Sequence, residues 1–143
     1  MNPITLEQAR TIIAGVINEG RQQGFAPLSV VILDGGGHVK AFEREDGASN
    51  LRFEIAHAKA YGALGMGVGS RALMARAEAQ PSFIAAVTAA FGGALIPVPG
   101  GVLIVDSQQA IVGAVGVTGD ASDNDEAAAV AGIEAAGFDA RTG

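Results

Sequence analysis

Two stretches of the chain spell out the same hairpin, and this repetition constrains the fold more than any other feature. Leu28 to Leu33 is a run apolar on both alternating faces, as a strand covered on both sides would be. Asp34 and the turn residues Gly35, Gly36 and Gly37 then lead into a second strand, His38 to Arg44. Farther along, Val102 to Val105 is followed by Asp106, by Ser107, Gln108 and Gln109 as turn residues, and by the strand Ala110 to Val117. Four apolar residues, an aspartate and three turn residues occur in both, with Asp34 matching Asp106. Hairpin grammar alone accounts for the match without a duplication. At least four strands follow, mostly antiparallel.

The remaining segments carry helical periodicity. Thr5 with Gln8 three positions on forms a capping box, and Leu6, Ala9, Ile13, Val16 and Ile17 fall on one face of a helix running from Thr5 to Gln23, closed by Gly24. Between the hairpins, helices are expected over Asn50 to about Leu64, Ser70 to Ala79, and Pro81 to Phe91 with proline in the first turn. A last helix starts in Ser122 to Glu126 and ends near Gly137. The segments describe a single α/β domain over residues 1–143, with an antiparallel sheet of about five strands and helices on both faces. No linker divides it.

A chain that is 49% hydrophobic and 17% charged folds rather than staying disordered. Its net charge of -6 repels a phosphate backbone and an anionic membrane surface, so neither nucleic acid nor membrane is an expected partner. The absence of cysteine removes disulfides, thiolate nucleophiles and CxxC metal sites, and fits a reducing cytoplasm. The opening Met-Asn-Pro-Ile-Thr-Leu-Glu lacks the basic start and apolar stretch of a signal peptide, and the tract Phe83 to Val98 is too short and too interrupted to span a bilayer. With two histidines, no multi-histidine metal site is expected.

Few motifs carry chemistry. Gly65-Met66-Gly67-Val68-Gly69 closes a helix instead of opening one, which is the wrong context for a dinucleotide fingerprint. The acids Asp120, Asp123, Asp125 and Glu126 do not fit a calcium loop in any frame, and read as first-turn acids that accept orphan backbone N–H groups. His57 is the residue of interest. Phe53 and Tyr61 lie four residues to either side and Glu54 three before it, so all four share one helical face. Glu54 would hold the imidazole in one tautomer while the aromatics exclude water, an arrangement for an axial ligand or a general base. The competing reading is a partly buried helix histidine with no ligand. Lys59 and Arg44 read either as surface cations or as anion ligands, and Gly100 and Gly101, after Pro99, either as a turn or as a pair of backbone N–H groups facing a carboxylate.

The opening Thr-Leu-Glu-Gln-Ala, the run Val-Val-Ile-Leu-Asp-Gly-Gly-Gly-His, and Ile-Ala-His-Ala-Lys-Ala over 55–60 resemble the GlcG/HbpS-like family, related to the haem-binding C-terminal domain of PduO-type proteins. Pro99-Gly-Gly-Val, Ile-Val-Gly-Ala-Val-Gly-Val-Thr-Gly over 111–119, Asp125-Glu126-Ala127 and Ala131-Gly132-Ile133 extend the likeness over nearly the whole chain. Leu103 stands where the family commonly has proline. The resemblance implies a profilin-like fold, homo-oligomers up to octamers, and haem or tetrapyrrole binding or sensing in some members. On that reading the cofactor-binding candidates are His57, Tyr61, Arg44, Lys59, Gly100 and Gly101. A cofactor-free enzyme on a small organic acid would instead draw on Glu54, His57 and Asp125, and an oligomeric scaffold or sensor would need no such site. The small residues Ala56, Ala60, Ala63, Gly62 and Gly65 are expected to form surfaces on which another copy packs closely.

Overall fold

The computed structural model describes residues 2–143. Its first helix, α1 (Leu6–Gln23), begins in the expected capping box: Gln8 N–H donates to Thr5 Oγ1 at 3.0 Å and Thr5 N–H to Gln8 Oε1 at 2.9 Å. Gly24 closes it in the left-handed conformation. The buried stripe is Ala9, Ile12, Ile13, Val16 and Gly20, while Leu6, expected on it, is 41% exposed. Ile12 takes that place because 9, 12, 13, 16 and 20 follow the helical repeat more closely.

Both hairpins form, as β1 (Ser29–Asp34) with β2 (Val39–Arg44), and β3 (Gly101–Val105) with β4 (Ile111–Thr118). Their turns have the same bonding. Asp34 Oδ1 accepts from the N–H groups of Gly36 and His38, both at 3.0 Å, and Asp106 Oδ1 from those of Gln108 and Ala110, both at 2.9 Å. The third turn residue is left-handed in each, Gly37 at φ 83° and Gln109 at φ 65°. The register shifts one step from the turn in each, between Ile32 and Leu33 and between Ile104 and Val105. The aspartate carboxylate thus supplies the local acceptor that makes the turn.

The hairpins join through their inner strands, giving the antiparallel order β2-β1-β4-β3-β5. The fifth strand, β5 (Asp139–Arg141), pairs with β3. At three residues it is too short to show an alternation in the sequence. One face of the sheet, bearing Val30, Ile32, Val102, Ile104, Val115 and Val117, packs with α1 and with α5 (Ser122–Ala135) around Ile12, Ile13 and Ile133. The other face packs α2 (Arg52–Met66). There β4 presents Ala114 and Gly116, and α2 presents Ala56, Ala60 and Ala63. A Cβ on Gly116 would stand 1.9 Å from Ala56 O, so glycine there permits the close approach of helix and sheet. The alanines expected to receive another copy are therefore used within the chain, and Gly62 and Gly65 are covered by Leu95 and Phe91. A small third cluster of Leu73, Ile84 and Leu95 seats α3 (Ser70–Ala79) and α4 (Pro81–Ala90).

Asp123 and Asp125 lie in the first turn of α5, and Asp125 accepts from Asp120 N–H at 2.9 Å, but Ala121 occupies the N-cap and no side chain caps the helix there. Asp123 and Glu126 instead bind Arg71 of α3, with Arg71 Nε donating to Glu126 Oε2 at 3.0 Å. Asp120 accepts from Ala26 N–H and from Asn124. These acids stitch helices together. No helix among the described residues is long and apolar enough to cross a membrane.

Candidate functional site

The outward side of α2 carries a row of aromatic rings. His57 lies between Phe53 and Tyr61, with centroids 5.7 Å and 5.2 Å away and ring planes tilted by 27° and 18°. The one-turn spacing of 53, 57 and 61 makes this stack, since residues four apart face each other on a helix. The row is closed at its ends by edge-on rings: Phe42 of β2 against Phe53 at 4.8 Å, and Phe91 against Tyr61 at 5.8 Å. Beyond Tyr61 a groove of about 180 Å³ is lined by Gly36, Gly37, Leu64, Gly65 and Phe91. Gly37 is needed twice over here. Its φ is positive, and a Cβ on it would come within 2.9 Å of Tyr61 Cε1.

His57 and Tyr61 are half-buried, and among the described residues neither side chain has a hydrogen-bond partner. Glu54, expected to orient the imidazole, is exposed and bonds to nothing there; stacking holds the ring instead. The donor set is thus an imidazole and a phenol, both unclaimed, in an apolar and flat setting. Those are the groups that ligate haem iron in proteins, so the residues present fit that group. Arg44 ends the edge strand β2 and is exposed, two residues from Phe42 on the face that α2 covers.

Lys59, Asp125, Gly100 and Gly101 come together elsewhere, in the interior. Lys59 is no surface lysine: its side chain is 3% exposed, and Nζ donates to Val117 O at 3.0 Å and to Asp125 Oδ2 at 3.2 Å. Asp125, 1% exposed, accepts a further bond from Asp120 N–H. Burial pushes the Lys59 amine down and the Asp125 carboxyl up, and in each case the partner's charge pulls back. A Cβ on Gly100 would meet Lys59 Nζ at 2.9 Å, and one on Gly101 would meet Lys59 O at 2.2 Å. Gly101 N–H donates to Ser70 Oγ at 2.7 Å, so it is engaged within the chain rather than offered to a ligand. These four residues lock α2, α5 and the start of β3 together and are sealed from solvent.

The structure also shows a polar corner that sequence reasoning missed, made of Ser29, Thr118 and Arg52. Arg52 Nη1 donates to Thr118 Oγ1 and Nε to Ser49 Oγ, both at 2.9 Å. Ser29 and Thr118 are paired across the two central strands and buried. The available signal was a hydroxyl at the end of each of two otherwise aliphatic strands.

The family model described as haem degrading protein HbpS-like matches residues 4–134. The solved PduOC haem complex superposes with a TM-score of 0.85 at 20% identity, covering 96% of this chain and 97% of that one. The Klebsiella pneumoniae protein ORFY gives 0.86 at 22% identity, over 96% and 92%. HbpS gives 0.79 at 27% identity, over 94% and 90%. No curated protein matches the chain in sequence.

Proposed function

Since the chain belongs to the HbpS-like family, we propose that it binds haem along the aromatic row of α2. The observation that carries this reading is the His57 ring, stacked between Phe53 and Tyr61 with no hydrogen-bond partner among the described residues. An unclaimed imidazole against flat apolar surfaces is what an axial ligand requires. His57 or Tyr61 would hold the iron, Phe53 and Phe91 would exclude water from the row, and Arg44 would offer its charge to the propionates. Lys59 is committed to Asp125 and takes no part. When bound, haem supplies an iron centre whose redox behaviour follows from its axial ligand and surroundings. The rings of Phe53 and Tyr61 fix the imidazole plane, and burial of one side of the row lowers the local dielectric around it.

A cofactor-free acid–base enzyme draws less support. Such an enzyme needs an assembled acid and base, whereas Glu54 does not bond to His57 and Asp125 is sealed. Self-association has its own support in α4. No charged residue occurs from Ala79 to Val105, and Phe83, Ala86 and Ala90 are exposed along α4, with the Arg76 guanidinium 4.5 Å from the Phe83 ring at one end. In a chain of net charge -6, copies meet there with least repulsion.

The test is a hemin titration of the wild-type protein and of His57→Ala. The wild type is expected to saturate with a sharp Soret band. The variant is expected to show a displaced Soret band and weaker binding, with a stability loss of about 0.5–1.5 kcal/mol from the lost stacking. An unaltered spectrum and affinity both in this variant and in Tyr61→Phe, or featureless absorbance without saturation in the wild type, overturns the reading.

A further inference from the structure

Three strand ends meet at one corner of the sheet. Arg44 of β2 pairs with Ser29 of β1, and Ser29 pairs with Thr118 of β4, which sets the three side by side. They lie on the α2 face, two residues from Phe42, Val31 and Gly116 respectively. The first residue of α2, Arg52, comes down on this row through its bond to Thr118 Oγ1.

Three features of the corner stay unanswered within the chain. Arg52 is half-buried, yet among the described residues both its bonds go to hydroxyls and it meets no carboxylate. Ser29 Oγ is buried and has no hydrogen-bond partner among the described residues. The N-terminus of α2, with Leu51 at the N-cap, has no side-chain cap; Arg52 N–H reaches Ser49 O at 3.4 Å and Glu54 lies in the first turn, but no side chain accepts from the first-turn N–H groups. No carboxylate among the described residues bonds to Arg44 or Arg52, the exposed Asp46 included. Glu45 binds Leu28 N–H and Arg21, Asp120 binds Ala26 N–H and Asn124, Asp125 binds Lys59, and Glu54 is exposed and bonds to neither arginine. Arg44, on the same face of the sheet one strand beyond Ser29, adds a second positive charge to this end of the sheet, and in a chain of net charge -6 such a cationic corner stands out. The planar fork of arginine matches a carboxylate through two parallel bonds.

We infer that Arg52, Arg44, Ser29 and Thr118 form a carboxylate-binding corner at the start of α2. The carboxylate is a haem propionate or that of a small free acid, which present the same chemistry. The haem source rests on the function proposed above; the free-acid source does not.

The experiment compares hemin with hemin dimethyl ester, whose propionates are blocked, and separately follows the melting temperature in succinate. The proteins are the wild type, Arg52→Gln and Ser29→Ala. The glutamine variant keeps N–H donors for Thr118 and Ser49, and the alanine variant removes an unpaired hydroxyl, so a folded protein is available in at least one case. If a propionate is the ligand, the wild type prefers hemin to the ester by about tenfold to a hundredfold, the scale of a charged hydrogen-bonded pair. Arg52→Gln then loses that preference while its Soret position stays that of the wild type, and Ser29→Ala weakens it by several-fold. If a free acid is the ligand, succinate raises the melting temperature of the wild type and not of Arg52→Gln. Equal preference for hemin over ester in all three proteins, together with no succinate shift specific to Arg52, overturns the inference. Failure of hemin to bind any of them removes the haem reading alone, and the succinate measurement then decides this one.

Discussion

Lys59 shows how one residue's role turns on its surroundings. Within Ala-His-Ala-Lys-Ala it is one polar position among small ones, yet folding carries its amine to within 3.2 Å of Asp125, sequence-distant and equally sealed. A buried ion pair adds little over an apolar pair of the same volume, but removing one partner strands the other. Lys59→Met is therefore expected to cost about 3–5 kcal/mol near neutral pH, and the double variant Lys59→Met with Asp125→Leu much less. The pH dependence has a definite sign. Burial raises the Asp125 carboxyl above its ordinary 3.8, and loss of Lys59 removes the pull in the other direction. A group raised in the folded state favours folding below its unfolded value and withdraws that support as pH rises. The gap between wild type and Lys59→Met should be smallest near pH 4 and widen toward pH 8 in urea unfolding. A gap independent of pH would mean that losing Lys59 leaves the protonation of Asp125 unchanged, and would defeat the buried ion pair.

At the scale of elements, the two hairpins differ at one comparable position. Both place their third turn residue in the left-handed region, but one has Gly37 there and the other Gln109. A residue with a Cβ pays about 1–2 kcal/mol for that conformation, while glycine adds about 0.5–1 kcal/mol of unfolded-state entropy. Gln109→Gly should stabilise the protein by a few tenths to about 1 kcal/mol, measured as an upward shift of the urea midpoint. Gly37→Ala should do the reverse by a larger amount, because its Cβ also presses on Tyr61. That second variant should disturb the hemin spectrum, whereas Gln109→Gly should leave it alone. The turn of one hairpin thus supports the aromatic row on a helix.

For the whole molecule, the two sides of the sheet are unequal. Large aliphatic side chains fill the space under α1 and α5, whereas alanine and glycine bring α2 down close on the other face. That closeness leaves the outward side of α2 with its rings on the surface. The exposed strip of α4 is the surface proposed for a second copy. Sedimentation equilibrium should give a mass above the 14.3 kDa of one chain, and Ala86→Glu, which places a charge in the strip without disfavouring helix, should return it to one chain. A wild type at 14.3 kDa at micromolar concentration, or no effect of Ala86→Glu, would defeat that contact.

The sequence by itself determined the elements, because periodicity, caps and turn chemistry act over a few neighbouring residues. The capping box at Thr5, both Asp-initiated turns and the span Ser70–Ala79 were legible for that reason. So was the stack of Phe53, His57 and Tyr61, which needs only the helical repeat. β5 was not, being too short to show a pattern. What only the tertiary structure decided was every relation that crosses between elements: that Lys59 meets Asp125, that the alanines of α2 are spent on Gly116 and its sheet, that the acids before α5 reach Arg71, and that Arg52 stands over Ser29 and Thr118. Such pairings follow from strand order and helix docking, which are set by burial summed over the whole core, so no local stretch of the chain encodes them.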